Sequence, residues 1–405
     1  MTASTADGSS TAVPSPRIVI PALGLTQILA WGSTYYLPTV LAKPIAADTG
    51  WSLTWVVAGL SIGLLIAGLA APFVGRKIHD LGGRPVLASS AVLIALGQAM
   101  LALSPNLGTF VAGWIVIGFG MSAGLYDAAF STLGRLYGQA ARQHITILTL
   151  FGGLASTACW PLSAFLVNEV GWRGACGVYA TIHLLFTLPV YLLTLTRGPL
   201  PDWHAESKPK SGIAQGRNRA IFLILAAAIM MGSMLQTVFL VHILSILQAM
   251  GIAFAAAVGF GTLIGPSQVG ARFIEMMISR YHHPIWTKVV SVSCVALGLA
   301  LLWSALPIVP LALILFGAGI GLESIARATL PLALFGAADY APIMGRLARP
   351  SLIAQAIAPS IGAILIEKLG AESTLAVVVA AAVFNVALTL LLLGLTRART
   401  NPSTH

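Results

Sequence analysis

Charged residues are scarce in this chain. Asp, Glu, Lys and Arg make up 8% of its 405 positions, against about 25% in an average soluble domain. So few charges cannot cover a water-facing surface of this size, which argues against a soluble enzyme or binding domain. Cysteine is scarcer still. Cys159, Cys176 and Cys294 fit neither a disulfide framework nor a CxxC spacing, and read as small apolar residues inside apolar runs. No GxxxxGK(S/T) loop occurs, which removes an ATP-driven machine, and no metal or cofactor motif is present. Acid is in deficit, with 12 Asp and Glu against 22 Lys and Arg. The resulting charge of +10 is spread over many short loops rather than gathered in a patch, so nucleic acid is not an expected partner.

What the chain has instead is long apolar runs. It is 57% hydrophobic, with a mean hydropathy of +0.90. Crossing a bilayer takes about 20 apolar residues at about 1.5 Å rise each. Twelve such spans are expected, at 18–41, 53–74, 86–103, 107–133, 145–167, 174–195, 220–250, 253–278, 285–305, 308–335, 351–366 and 373–395. Residues 1–16 are rich in Ser, Thr and Ala and lack the basic and apolar regions of a signal peptide. The expected organisation is an all-α membrane protein. A disordered tail (1–16), a six-helix bundle (17–197), a linker (198–219), a second six-helix bundle (220–396) and a tail (397–405) follow one another.

Orientation follows from the basic residues. With twelve spans, 17 of the 22 Lys and Arg fall on the side of the termini, Lys288 among them, and 3 on the other; Arg272 and Arg327 lie within spans. That asymmetry places both termini in the cytoplasm, with the protein multi-pass in the inner (plasma) membrane. The halves also echo each other. Phe119-Gly-x-x-x-Gly-Leu125 recurs as Phe316-Gly-x-x-x-Gly-Leu322. Pro161 and Glu169 recur as Pro359 and Glu367. Gly75-x-Lys-x-x-Asp80 recurs as Gly270-x-Arg-x-x-Glu275. Matches in one order at nearly one offset point to two parallel repeats of six helices, a transporter architecture.

The basic, glycine-rich loop Gly75-Arg-Lys-Ile-His-Asp-Leu-Gly-Gly-Arg-Pro85 resembles the signature loop between helices 2 and 3 of the major facilitator superfamily. His79 stands where the family's aspartate is usual, Asp80 follows one place late, and Pro85 replaces the last basic residue. Leu23–Gln27, Gly32–Tyr36, Gly124–Ala128 and Gly171–Arg173 are similar in style to bacterial members near the monocarboxylate transporters. The resemblance implies two six-helix bundles around a central cavity lined by helices 1, 4, 7 and 10. It implies rocking between them, braced on the cytoplasmic side by a gate of Gly75, His79, Asp80, Gly83 and Arg84. The weaker copy at Gly270 and Glu275 extends that gate.

Ionisable groups at membrane depth are costly, at about 2.5–3.5 kcal/mol each on insertion scales, and are functional candidates by default. Glu323 and Arg327 stand at i, i+4, a spacing that lets them pair directly. An anion drawn onto Arg327 would leave Glu323 to take up a proton, which is a proton–anion coupling unit. Asp127 reads as a proton carrier or as a member of the signature loop's charge relay. Arg272 reads as a substrate or a gate residue. His242 offers a titratable ring among the cavity helices; His183 reads as packing. Gln27, Trp31 and Tyr35 share one helix face, and with Gln236 they supply hydrogen bonds and an aromatic wall for a small solute. The expected function is secondary, proton-coupled transport of a small organic anion such as a monocarboxylate, by alternating access. It is not an enzyme, it is a monomer in the lipid bilayer, and it has no cofactor. Two other readings are efflux of a drug or a trivalent arsenic compound, and a membrane sensor that has lost transport.

Overall fold

The computed structural model describes residues 14–196, 216–304 and 306–400. Most of the tail expected at 1–16, most of the linker at 198–219 and the end of the tail at 397–405 lie outside the described residues. Among these residues all regular structure is helical. Span 1 comprises α1 (Pro16–Ser33) and α2 (Leu37–Thr49); span 2 is α3 (Leu53–Leu81) and span 3 is α4 (Gly83–Ala102). Span 4 comprises α5 (Leu107–Gly124) and α6 (Tyr126–Tyr137). Spans 5 and 6 run through α7 (Ala141–Gly153), α8 (Ala155–Ile182), a π-helical turn at His183–Thr187 and α9 (Leu188–Thr194). In the second half, α10 (Gly216–Ala249) is span 7, and α11 (Phe254–Gly261) with α12 (Ile264–Ile278) is span 8. Then α13 (Pro284–Trp303) is span 9, α14 (Val309–Phe335) is span 10, and α15 (Tyr340–Thr400) carries spans 11 and 12.

Two of these helical stretches are far too long for one crossing. Leu107–Thr194 runs 88 residues and Tyr340–Arg397 runs 58, where about 20 suffice. Glycines turn the chain back. Gly171 (φ 71) divides span 5 from span 6 inside α8, and Gly370 (φ 81) divides span 11 from span 12 inside α15. Gly50, Gly138 and Gly171 recur about 200 residues on as Gly251, Gly336 and Gly370, all with positive φ. A side chain there would meet the Cβ penalty of the left-handed region. The repeat seen in the sequence therefore extends to the conformation of the turns.

Spans 1 and 4 are broken in the middle, and the breaks position side chains. Pro38 has no N–H to return to Thr34, so the helix stops at Ser33 and restarts at Leu37. The freed Ser33 carbonyl accepts from the Gln98 side chain, and the Ser33 hydroxyl lies 2.7 Å from His183 Nε2. The break turns Tyr35 and Tyr36 toward the middle of the protein. In span 4, Leu125 is extended (ψ −169), and the exposed Gly124 carbonyl accepts from Gln27 Nε2 at 2.6 Å. A new helix then begins at Tyr126, placing Asp127 in its first turn, where the helix dipole favours a carboxylate.

The halves meet at the face that carries most of the basic loops. Gly75 lies against the Ala341 carbonyl and Gly345, and Gly345 in turn lies against Ala71. Farther in, Gly68 lies against Arg349, Leu352 and Ile353. A Cβ at Gly75 or Gly345 would strike backbone, so glycine permits the close crossing of spans 2 and 11. Tyr340 is buried against Gly134 and donates to the Ala328 carbonyl at 2.8 Å. One apolar cluster joins Ile78, Phe130 and Leu133 of the first half to Tyr340, Ala341 and Met344 of the second. Arg142 donates to the His282 carbonyl at 2.8 Å across the same seam. This face is packed shut.

Candidate functional site

Above that seam, between the halves, is a cavity of about 180 Å³. Its first-half wall carries Trp31, Tyr35, Tyr36, Tyr126, Phe130 and Asp127; its second-half wall carries Gln236, Gln268, Arg272, Glu323, Ser324, Arg327 and Gln355. Seven of the nine predicted substrate and coupling residues are among them: Trp31, Tyr35, Asp127, Gln236, Arg272, Glu323 and Arg327.

The pairing of the charges differs from the sequence expectation. Glu323 and Arg327 do not pair with each other. Arg327 Nη2 reaches across the cavity to Asp127, at 3.0 and 2.8 Å from its two carboxylate oxygens. Glu323 Oε1 instead takes Lys288 Nζ of span 9 at 2.5 Å, and its Oε2 lies 3.0 Å from the Ser291 hydroxyl. The i, i+4 spacing allowed a local bridge, but each group found a partner on another helix. Asp127 is thus no part of a relay in the signature loop; with Arg327 it forms an ion pair between the two halves, both side chains being slightly exposed to the cavity.

Lys288 was counted with the basic loop residues, yet its side chain is 1% exposed. Only its proximity to a membrane end was visible in the sequence; its partner lies 35 residues away on a neighbouring helix. Removing one member of a buried pair strands the other charge, at about 3–5 kcal/mol. Lys288→Met is therefore expected to lower the melting temperature of the purified protein markedly. A Lys288→Met/Glu323→Leu double variant should recover most of the loss, and thermal unfolding in detergent reads both.

Arg272 is 6% exposed and has no ion pair within 4 Å among the described residues. Its nitrogens go to uncharged acceptors. Nε lies 3.1 Å from Ser324 Oγ and 3.4 Å from the Gly321 carbonyl; Nη1 donates to the Thr149 carbonyl at 3.3 Å, and Nη2 to Gln268 Oε1 at 3.3 Å. These bonds fix the guanidinium at the cavity wall without neutralising it. Gln268 and Ser324, which sequence reasoning passed over, hold it there. Gln268 precedes Arg272 by one helical turn, a spacing that could have signalled it.

Two predicted residues lie elsewhere. Gln27 is fully buried and caps the break in span 4, a break with no proline to announce it. His242 Nε2 donates to the Pro359 carbonyl at 3.0 Å, its ring packed on Gly362, so it joins spans 7 and 11 outside the cavity. His183 is a buried packing residue on Ser33, as expected. None of the three cysteines lines the cavity.

The signature segment, expected as a loop, is helix on both sides of Gly82, because the helices of spans 2 and 3 run on to that glycine. Gly75 makes the close crossing, and Gly83 lies against Thr132. Asp80 is exposed, and among the described residues neither it nor His79 or Arg84 forms an ion pair within 4 Å. The bond that ties this loop is made by Arg135, whose Nη1 donates to the Ile78 carbonyl at the end of α3 at 2.6 Å. Burial pushes the Arg135 guanidinium below its ordinary value, and the nearby Asp80 charge partly offsets this. In the second half, Gly270 has nothing within 4 Å and is exposed, so the copy of Gly75 makes no crossing. Glu275 is buried, accepting from Thr287 Oγ1 at 2.7 Å and facing His282 Nε2 at 3.2 Å.

The family model of the Major Facilitator Superfamily matches residues 23–348. The chain belongs to that superfamily. Its fold is the superfamily's two six-helix bundles, and it is a multi-pass membrane protein. Over 163 residues it is 29% identical to the transcription regulatory protein OpdE of Pseudomonas aeruginosa, covering 40% of this chain and 38% of that one. It is 26% identical over 145 residues to the niacin transporter NiaP of Acinetobacter baylyi, covering 35% and 31%. It is 24% identical over 133 residues to monocarboxylate transporter 13 of Rattus norvegicus, covering 33% and 30%. In each case the match spans well under half of the relative's length. The human organic anion transporter MFSD10 has a similar fold, with a TM-score of 0.70 at 18% identity over 93% of this chain and all of that one.

Proposed function

We propose that this superfamily member is a proton-coupled secondary transporter of small organic anions, monocarboxylates first among them, that works as a monomer by alternating access. The carrying observation is Arg272. A buried cation bonded only to neutral groups is costly, and the missing countercharge is supplied by the solute. Around the cavity stand three cations (Arg272, Arg327, Lys288) and two carboxylates (Asp127, Glu323). The surplus of one positive charge suits a monoanion. The relatives with niacin, monocarboxylate and organic anion in their names agree with this reading.

Asp127 and Arg327 are the coupling pair in this reading. Their bridge joins the two halves and has to break when the halves part at the basic face, which the positive-inside asymmetry puts in the cytoplasm of the inner membrane. Glu323 is held by Lys288 and is a fixed structural charge rather than a carrier. A proton on Asp127 removes the attraction across the cavity. An anion near Arg327 supplies a replacement negative charge, so proton and anion favour the same opened state. The gate is the packed seam of Gly75, Gly345 and Tyr340, with Arg135 tying the signature loop. The thiol-based arsenic reading has no cysteine at the cavity, and a neutral drug leaves Arg272 unmatched.

Purified protein in liposomes tests this. Uptake of labelled monocarboxylates is compared with that of their neutral amides, with and without an acidic exterior. At least one carboxylate is expected to accumulate, several-fold faster under the proton gradient, and its amide is not. Equal transport of acid and amide would sink the anion reading.

A further inference from the structure

The cavity has two unlike walls. The first-half wall is built from rings: the Trp31 indole is 5.0 Å from Tyr126 and 5.3 Å from Tyr35, and Tyr126 stacks flat on Phe130 at 4.9 Å with 13° between planes. The second-half wall carries the guanidinium groups. The two walls are close: the Tyr126 hydroxyl and Arg272 Nη1 both donate to the Thr149 carbonyl, each at 3.3 Å. The stacked pair Tyr126–Phe130 presents an aromatic face within the cavity, beside a cation with no countercharge.

The size of the cavity narrows what fits. The volume of about 180 Å³ compares with the roughly 150 Å³ of a cavity that takes up benzene. That leaves room for one six-membered ring with a carboxylate.

We propose that the transported solute is a single-ring aromatic monocarboxylate. Its ring lies on the Trp31–Tyr126 wall, and its carboxylate lies on Arg272. The inference rests on the anion reading above and narrows it. Aromatic rings in offset or edge contact add about 0.5–1.5 kcal/mol beyond area burial. The discrimination expected against a saturated ring of equal size is therefore about twofold to tenfold.

The experiment uses the full-length protein in liposomes preloaded with unlabelled solute, and measures counterflow of labelled benzoate, nicotinate, cyclohexanecarboxylate, lactate and 1-naphthoate. Benzoate or nicotinate is expected to exchange best, cyclohexanecarboxylate about twofold to tenfold less well, and naphthoate less well than benzoate. Trp31→Leu, which keeps an apolar wall, is expected to weaken the aromatic acids by a similar factor and so to narrow the gap between benzoate and cyclohexanecarboxylate. The comparison of the two ring acids needs no variant, so a misfolded Trp31→Leu protein leaves the test intact. Cyclohexanecarboxylate or lactate exchanging as well as benzoate overturns the aromatic inference while the anion reading stands. Exchange of none of the five acids overturns both.

Discussion

Arg272→Gln abolishes tight anion binding, with an expected loss of about 30-fold or more, yet leaves the unliganded protein at least as stable as the parent. Both halves of this result follow from one fact. In the unliganded protein Arg272 is a buried cation whose four hydrogen bonds go to hydroxyl, carboxamide and carbonyl oxygens. Burying a charge without a countercharge is costly, and burying a hydrogen-bonded amide is much less so. Glutamine keeps donors near Gln268 and Ser324 and removes the charge. The bound state changes in the opposite direction. Losing one member of a buried charge pair typically costs about 2–5 kcal/mol, where about 1.4 kcal/mol is tenfold. Thermal unfolding with and without the carboxylate that accumulates in liposomes reads both effects together. The variant should match or exceed the parent without solute and lose the solute-induced rise. A variant that is destabilised and still shows the full rise would make Arg272 a strut, not an anion site.

The fold was largely legible in the sequence because bilayer length and the basic asymmetry act locally along the chain. Twelve apolar runs separated by glycine and basic turns leave little choice of topology, and the recurrence of Gly138 and Gly171 as Gly336 and Gly370 shows the repeat down to backbone dihedrals. The cavity residues were legible for a related reason: a charge inside an apolar run is costly enough to mark itself, as Asp127, Arg272, Glu323 and Arg327 did. Pairing was not legible. Glu323 and Arg327 satisfy a local helical rule, but Lys288 and Asp127 approach them from helices whose order around the cavity no spacing encodes. Gln27 was misplaced because nothing local announces the break at Leu125. His242 was misplaced because a histidine that satisfies a carbonyl and one that faces solute look alike in a string of letters. The copy at Gly270 failed because sequence symmetry does not require both halves to use it: the close crossing at the seam pairs Gly75 with Gly345.

Asp127→Asn uncouples transport from the proton gradient. One pH unit across the membrane stores about 1.4 kcal/mol per proton, enough for a tenfold accumulation at one-to-one coupling. The parent should approach that ratio, and the variant should equilibrate its solute at a ratio near one while continuing exchange. The reason lies in where the carboxylate stands. Asp127 is the first-half member of the ion pair across the cavity, with its oxygens 2.8 and 3.0 Å from Arg327 Nη2. Protonation cancels that attraction, whereas asparagine cancels it permanently and still accepts a hydrogen bond from Arg327. Arg327→Gln alone leaves Asp127 charged and unpartnered at the cavity wall, and is expected to be the more damaging single change for stability. Combining it with Asp127→Asn should restore about 0.5–3 kcal/mol, the range found for coupled neighbours. Exchange at symmetrical pH checks that the Asp127→Asn protein is folded and active, and net uptake under an imposed gradient measures coupling. Persistence of tenfold accumulation in this variant would move the proton to another group. Glu323 would be the next to test, although a Glu323 proton would leave Lys288 buried and charged with no partner, the same cost that makes Asp127 the better carrier.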